Sequence, residues 1–241
     1  MTADDQQISS VWTRPPRARR DQPALSREQI VAEAVRLLDA EGLQALSMRR
    51  LGARLGAGAT SLYRHVANKD ELIELVLDEI YGELRVPPVT DPAAWREAVI
   101  ETAGGIRAML LRHPWAVSVI GGAGLAYLGP NLMRITDDML ALLESAGFGL
   151  EAADSALSTV VAYVMGMTSA EAAWLTKLAG SGLTQDEWAE QAWPAVRRAV
   201  EPYPRLRRLY APDGDKDPQR TREEDFTRGL NHVLDGFEPR R

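Results

Sequence analysis

The segment 47–69 concentrates small, hydroxyl, imidazole and cationic side chains that can bind a nucleic acid. Arginine can donate two hydrogen bonds to guanine, and threonine or alanine can contact a thymine methyl group. Tyrosine, histidine and lysine can donate to phosphate oxygens, which positions a protein on DNA without reading its sequence. The pattern therefore predicts base contacts from Ala59, Thr60, Ser61 and Arg64, and phosphate contacts from Tyr63, His65 and Lys69.

Helix signals around this segment predict the elements that position it. Ser26 with Gln29 is a capping-box pair that begins a first helix, and Gly42 ends it. Ser47 begins a second helix that stops at Gly56, and a third short helix is expected from about Thr60 to His65. Asn68 caps a fourth helix, which continues to about residue 84 before Val86-Pro87-Pro88. Apolar residues repeat at helical spacing in each of these segments.

Two short helices joined by a tight turn form a helix-turn-helix, whose second helix fits the major groove of DNA. Other interpretations of single residues remain open at this level. Tyr63 can pack on the first helix, His65 can be a structural cap, and Arg50 and Arg54 can be solvated surface charges.

Composition limits the classes of protein that the chain can belong to. The 241 residues are 45% apolar, which is enough for a core, and the abundance of Ala, Leu, Arg and Glu favours helices. Without cysteine, the chain has no disulfide, thiolate zinc site or cysteine nucleophile. His65, His113 and His232 lie far apart and show no metal-ligand spacing.

Charge is distributed unevenly along the chain. The net charge is −6, but residues 11–69 hold ten arginines and one lysine against five acidic residues, which gives +6 there and −12 elsewhere. Such a split predicts a basic end that faces an anion, and residues 1–24, with Arg14, Arg17, Arg19 and Arg20, form a flexible basic arm of that end. The alternative is a chance distribution of surface charge.

The remaining sequence also predicts helices. They are expected from Asp91-Pro92 to Arg112, after Pro114, from Gly129-Pro130 to Gly147, over 151–179, over 184–199, and over a last segment that carries Phe226, Leu230 and Leu234. Residues 201–221 are predicted to be a mobile loop. No apolar run is long enough for a membrane span, and MTADDQQISS is not typical of a secretory signal, so we expect a cytoplasmic protein.

Residues 25–84 closely resemble the tetracycline-repressor (TetR) family. The resemblance rests on AVRLL, on MRRLGARLG and on the string Ser61, Leu62, Tyr63, His65, Val66, Asn68, Lys69, Glu71 and Leu72. It implies that Tyr63, His65 and Lys69 contact the DNA backbone and that Arg49 contacts a base or a phosphate. The positions that read bases match Ala59, Thr60 and Ser61. Ser47 and Arg50, at the start of the second helix, complete the set of predicted DNA contacts.

The segments WREA, LLRHPW, LGPN and residues 161–166 resemble, less specifically, the C-terminal domain of the same family. This resemblance implies a homodimer in which helices near 151–179 and 222–238 form the interface. Gly166, Ser169 and Ala173 would allow close approach there, and Leu230, Leu234 and Phe237 would supply apolar area, unless these stripes are intrachain core. It also implies a pocket for a small, largely apolar effector, and the candidate residues are Met109, His113, Trp115, Tyr127, Met133, Tyr163, Met167 and Trp174.

Several of these pocket residues can equally be core, and His113 is better explained as a cap on the helix that Pro114 breaks. Ile120 stands near the place where the tetracycline repressors hold a magnesium–drug chelate through a histidine. We therefore expect no metal and no cofactor.

The sequence thus predicts an all-α protein with three parts: a flexible arm (1–24), a helix-turn-helix domain built on three helices (25–86) and a helical ligand-binding and dimerisation domain (87–241). We expect a transcriptional regulator, a repressor that a small molecule releases from a palindromic operator on double-stranded DNA, and an activator is the alternative within the family. The ligand would move the fourth helix, residues 69–84. An all-α enzyme and a helical adaptor that binds no DNA are the competing classes, although no paired carboxylates, nucleophile–base pair or phosphate loop supports an enzyme.

Overall fold

A computed structural model describes residues 25–123, 129–210 and 218–237. Within these residues the chain forms eleven α-helices and no strand. The first four are α1 (Arg27–Glu41), α2 (Met48–Arg54), α3 (Ala59–Leu62) and α4 (Lys69–Tyr81). The others are α5 (Trp95–Arg112), α6 (Pro114–Ala123), α7 (Pro130–Ser145), α8 (Leu150–Ser181), α9 (Gln185–Val200), α10 (Pro204–Leu209) and α11 (Pro218–Leu234). We call α1–α4 the reading head and α5–α11 the body.

The predicted helix caps are confirmed where the cap is local in sequence. Ser26 accepts a hydrogen bond from the backbone N–H of Gln29, whose side chain accepts one from the backbone N–H of Ser26 in return. Asn68 caps α4 through the backbone N–H of Glu71. The helix predicted over 184–199 begins with a capping box of Thr184 and Glu187 at the start of α9. Each of these contacts satisfies an amide that the first turn of a helix leaves without a partner.

Some predicted boundaries are wrong. The third helix is a single turn, although hydrogen bonds from the N–H groups of His65 and Val66 to the carbonyl of Leu62 extend it as a turn. The fourth helix ends at Tyr81, before the predicted residue 84. Residues 204–209 are helical rather than a loop, because Pro204 occupies the first helical position, where its fixed φ favours a helix.

The core is built in two connected parts. The first part lies in the reading head, and residues of the body enter it: Met109, Leu110, Trp115, Ala116, Val119 and Ile135. The second part lies between α5, α7, α8 and α11 and includes Val99, Leu143, Val164 and Leu230. The reading head is therefore packed against the body through shared buried apolar residues, rather than joined to it by a flexible linker alone.

Two predicted interface residues, Leu230 and Leu234, are in fact intrachain core. Both have no exposed surface within the single chain, because α11 packs them against α8. Gly166 and Ala173 are exposed on α8, and Val161 and Met167 are exposed large apolar residues of the same helix. No helix of the described ranges is both long and apolar enough to span a bilayer.

Candidate nucleic-acid interface and its link to the body

The turn between α2 and α3 depends on glycine at position 52. A Cβ on Gly52 would lie 2.7 Å from the carbonyl oxygen of Ala57, which is closer than real Cβ contacts allow. The same turn contains Gly56, whose φ of +63° is a conformation that favours glycine. These two glycines let α3 approach α2 closely, and the fully buried Leu62 anchors α3 on the core.

The reading head brings all ten predicted DNA-binding residues to its surface. None of them is buried: Ala59, Ser61 and His65 are half-buried, and the others, Ser47, Arg49, Arg50, Thr60, Tyr63, Arg64 and Lys69, are exposed. Ser47 is also the N-cap of α2, where its hydroxyl accepts from the backbone N–H of Arg50. The ten side chains are thus accessible along α2, α3, the residues next to these helices and the start of α4, and we call them the candidate surface.

Two cations, Arg50 of this surface and Arg54 beside it, pair with carboxylates of α1. Arg50 pairs with Glu41, and Arg54 donates from Nε to Glu33 at 2.5 Å. Hydrogen bonds from Arg54 and then Arg36 hold the pKa of the nearly buried Glu33 below its usual range, against the opposing effect of burial. These pairs tie α2 to α1, so Arg54 fixes the platform under α3.

Three other cations of the candidate surface are not neutralised by a carboxylate of the described residues. In the part of the chain that the structure describes, Arg49, Arg64 and Lys69 have no ion-pair partner. Lys69 is the first residue of α4, where the helix dipole favours an anion over a cation. A phosphate at this position would interact favourably with both the lysine and the helix terminus.

A polar cluster at the junction of the reading head and the body was not predicted from the sequence. His113 is buried, and its Nδ1 lies 2.7 Å from Asp39 Oδ1 of α1 while its Nε2 lies 3.0 Å from Glu83 Oε1 beyond α4. Trp115 donates from Nε1 to Asp39 Oδ1 at 2.7 Å. The backbone N–H of His113 bonds the carbonyl of Met109, so the residue also ends α5 as expected. His113 and Trp115 therefore connect the body to the reading head.

The predicted effector residues do not form one group. Met109, His113 and Trp115 are closed off in the core beside the reading head, and Met133 is exposed on α7. Tyr127 lies outside the described residues. Met167 and Trp174 lie together on the wall of a cavity of about 260 Å³ between α8 and α11, which Arg222 and Phe226 also line.

Charged and aromatic side chains meet at this cavity. Glu171 accepts hydrogen bonds from Arg107 at 2.7 and 2.8 Å and from Arg222 at 3.2 Å. The Arg222 guanidinium also lies 4.6 Å from the Trp174 ring centre. The Tyr163 ring lies beside that of Phe226, with 5.6 Å between their centres. This wall offers stacking surfaces and guanidinium donors.

Tyr163 is held in its protonated form. Burial raises the pKa of its phenol, and the nearby Asp225 carboxylate raises it further. The phenol donates a hydrogen bond to the carbonyl oxygen of Phe226 at 2.9 Å. Tyr163 therefore acts here as a structural contact between α8 and α11.

Comparisons with known proteins agree with this architecture. Residues 30–76 match the family of bacterial regulatory proteins called the tetR family, and residues 87–241 match the tetracyclin repressor-like C-terminal domain. An HTH-type transcriptional regulator of Saccharopolyspora erythraea is 42% identical over 165 residues, covering 68% of this chain and 69% of that protein. The HTH-type transcriptional repressor DrrR1 of Streptomyces coeruleorubidus is 32% identical over 227 residues, covering 92% of this chain and 80% of that protein.

Solved structures show the same fold. The TetR family protein ActR of Streptomyces coelicolor, in complex with actinorhodin, is 33% identical with a TM-score of 0.69 and covers 88% of this chain and 96% of its own. BioQ, with its natural double-stranded DNA operator, is 31% identical with a TM-score of 0.56 over 63% of this chain and 89% of its own. The chain therefore belongs to the tetR family of bacterial regulatory proteins and is a ligand-responsive, DNA-binding transcriptional regulator.

Proposed function

We propose that the chain is a cytoplasmic repressor that binds a palindromic operator as a homodimer and leaves it when a small molecule binds the body. The observation that carries the proposal is the surface of α2 and α3, where hydroxyl, guanidinium and ammonium groups converge on a helix turn fixed by Gly52 and Leu62. The two reading heads of a dimer would enter successive major grooves about 34–36 Å apart.

We assign base reading to the exposed side of α3, its following turn and Arg49 of α2. Arg64 and Arg49 can form paired hydrogen bonds with guanine, and Thr60 and Ser61 can contact base edges. The methyl side chain of Ala59 is too small to distinguish one base pair from another. The phosphate contacts come from Tyr63, His65 and Lys69, with Ser47 and Arg50 on the backbone beside α2.

We place part of the effector site at the cavity lined by Met167, Trp174 and Phe226. Large, adaptable and aromatic side chains suit a largely apolar molecule, and Arg222 would add a polar contact. Two relatives support a small-molecule effector in general, since ActR is solved with actinorhodin and another family member with minocycline.

We assign the dimer interface to the exposed side of α8. Its small residues, Gly166, Ser169 and Ala173, allow another helix to approach closely, and Val161 supplies exposed apolar surface. Removing this surface from water would favour association. The proposed domains are a basic arm over residues 1–24, which lie outside the described residues, a helix-turn-helix DNA-binding domain over 25–86, and a ligand-binding and dimerisation domain over 87–241.

A mobility-shift titration with the DNA upstream of the protein's own gene tests the proposal. We expect a discrete complex that forms in excess random DNA, and we expect Arg64→Ala to relax the preference at one base pair with a cost of about 1–3 kcal/mol. Arg205→Ala on α10, an exposed arginine far from the surface in sequence, is the matched control. Binding-site selection that returns the same base preference for Arg64→Ala as for the wild type would remove Arg64 from the reading set.

A further inference from the structure

The start of α7 has no cap of its own. Its N-cap residue is Gly129, which has no side chain, and its first helical residue is Pro130, which has no N–H. The amides of the next two residues therefore need an acceptor from elsewhere in the molecule, since a buried N–H without a partner is costly.

Asp78 of α4 supplies that acceptor. Its Oδ1 accepts from the backbone N–H of Asn131 at 2.9 Å and from that of Leu132 at 3.2 Å. The Asn131 side chain donates to Asp78 Oδ2 at 3.0 Å and to the Asp78 carbonyl at 3.1 Å. A carboxylate of the reading head thus occupies the place of an N-cap side chain in the body, where the helix dipole also favours its charge.

The fit between the two elements is close. Asp78 is only 6% exposed. A Cβ added to Gly129 would lie 2.5 Å from the carboxyl carbon of Asp78 and 2.7 Å from the Cβ of Asp78. Gly129 therefore leaves the space that the carboxylate fills. The two partners are 53 residues apart in the sequence, so only the docking of α4 on α7 brings them together.

The position of Asp78 within α4 means that its contact with α7 can control the orientation of the reading head on the body. Two other sets of polar contacts join the reading head to the body. Asp39 of α1 contacts His113 and Trp115. Beyond Tyr81, where α4 ends, Glu83 contacts His113 and the carbonyl of Leu84 accepts from Arg134. Asp78 lies within α4, whose first residue is the candidate phosphate contact Lys69. A rigid helix fastened to the body at Asp78 fixes the direction in which the reading head projects.

We propose that Asp78 is a specificity-determining residue of the operator complex: by capping α7 from α4, it fixes the reading head on the body and so sets the distance between half-sites that the dimer accepts. This inference rests on the proposed dimeric operator binding. Two rigidly held heads fit one spacing, whereas heads on loosened connections can reach several spacings at a lower effective concentration.

The test measures spacing preference rather than stability. The full-length protein binds its selected operator and the same operator with two base pairs inserted at its centre, and the ratio of the two dissociation constants is the spacing preference. We expect Asp78→Ala to reduce that ratio about tenfold, through weaker binding to the native spacing, while affinity for random DNA stays the same. Glu79→Ala, which removes an exposed carboxylate from the next position of α4, should keep the wild-type ratio.

Two further variants guard against loss of folding in Asp78→Ala. Gly129→Ala displaces the carboxylate from the side of the body, and Asp78→Asn keeps one acceptor oxygen while losing the charge. We expect both to reduce the spacing preference, and Asp78→Asn to do so least. Helical content and thermal midpoint are measured for each to show that the protein is folded.

The outcomes separate this inference from the proposed function. If the wild type selects no DNA sequence, the proposed function fails. If the wild type binds a selected operator but tolerates the insertion, or if folded Asp78→Ala and Gly129→Ala keep the wild-type ratio, the assignment of Asp78 is overturned. A fall in affinity that is equal for both spacings would also overturn it, because a general loss of structure predicts that result.

Discussion

Replacing Lys69 with alanine should change the stability of the free protein and its DNA affinity in opposite directions. Lys69 is exposed at the first position of α4, where its charge opposes the helix dipole. Its removal should stabilise the free protein by about 0.3–1 kcal/mol. If the lysine contacts a phosphate, the same change removes one favourable contact from each reading head of a bound dimer.

The size of the DNA effect follows from counterion release. Each phosphate contact contributes about 0.9 to the slope of log K against log salt, so a dimer should lose about 1.8 from this slope. At 0.1 M salt the corresponding loss of affinity is roughly eightfold per head and sixtyfold per dimer. Since a phosphate contact carries no base information, the loss should be the same for operator and for random DNA.

Fluorescence anisotropy over a series of salt concentrations measures both quantities, and thermal unfolding of the free protein measures the stability. Lys177→Ala is the matched control, because it removes an exposed lysine from α8 of the body. A salt slope that is unchanged in Lys69→Ala, or that falls equally in Lys177→Ala, would refute the assignment of Lys69 to a phosphate.

Two other predictions concern the contacts that hold α2 and α3 in place beneath the candidate DNA-binding surface. Gly52→Ala should force the α2–α3 turn apart, because the new Cβ meets the Ala57 carbonyl, and overpacking of this kind costs about 1–3 kcal/mol of stability. Thermal unfolding should show a lower midpoint and operator titration a lower affinity. An unchanged thermal midpoint would contradict this prediction. Glu33 has a pKa below its ordinary value of 4.5, so its pairing with Arg54 stabilises the fold above that pH, and this contribution is lost as the pH falls through the lower folded-state pKa. Urea unfolding between about pH 5 and pH 3 should therefore show a larger loss of stability for the wild type than for Glu33→Gln, and parallel losses would be evidence against the pairing.

Local rules predicted much of the reading head. The caps at Ser26 and Asn68 and the glycine stops at Gly42 and Gly56 depend on residues within one turn of each other, and each is found in the structure. The candidate DNA-binding residues lie in one continuous segment, so a motif of that segment was enough to name them, and none of them is buried.

Contacts between distant segments could not be predicted in the same way. Asp78 stands beside an apolar stripe of α4, and nothing near it in the sequence indicates that it caps a helix 53 residues later. The effector candidates are spread over several helices, and packing decides which of them face a cavity. For that reason Met167 and Trp174 share a cavity wall, while Met109 and Trp115 are core residues next to the reading head.

Binding-site selection from random double-stranded DNA with the full-length protein tests the central claim most directly. We expect the selected sequences to share a palindrome whose half-sites are about one helical turn or somewhat more apart, and we expect one dimer to bind each palindrome. A pool that shows no sequence preference after selection, with wild-type binding no stronger than that of Lys69→Ala, would contradict the assignment of α2 and α3 as the surface that reads DNA.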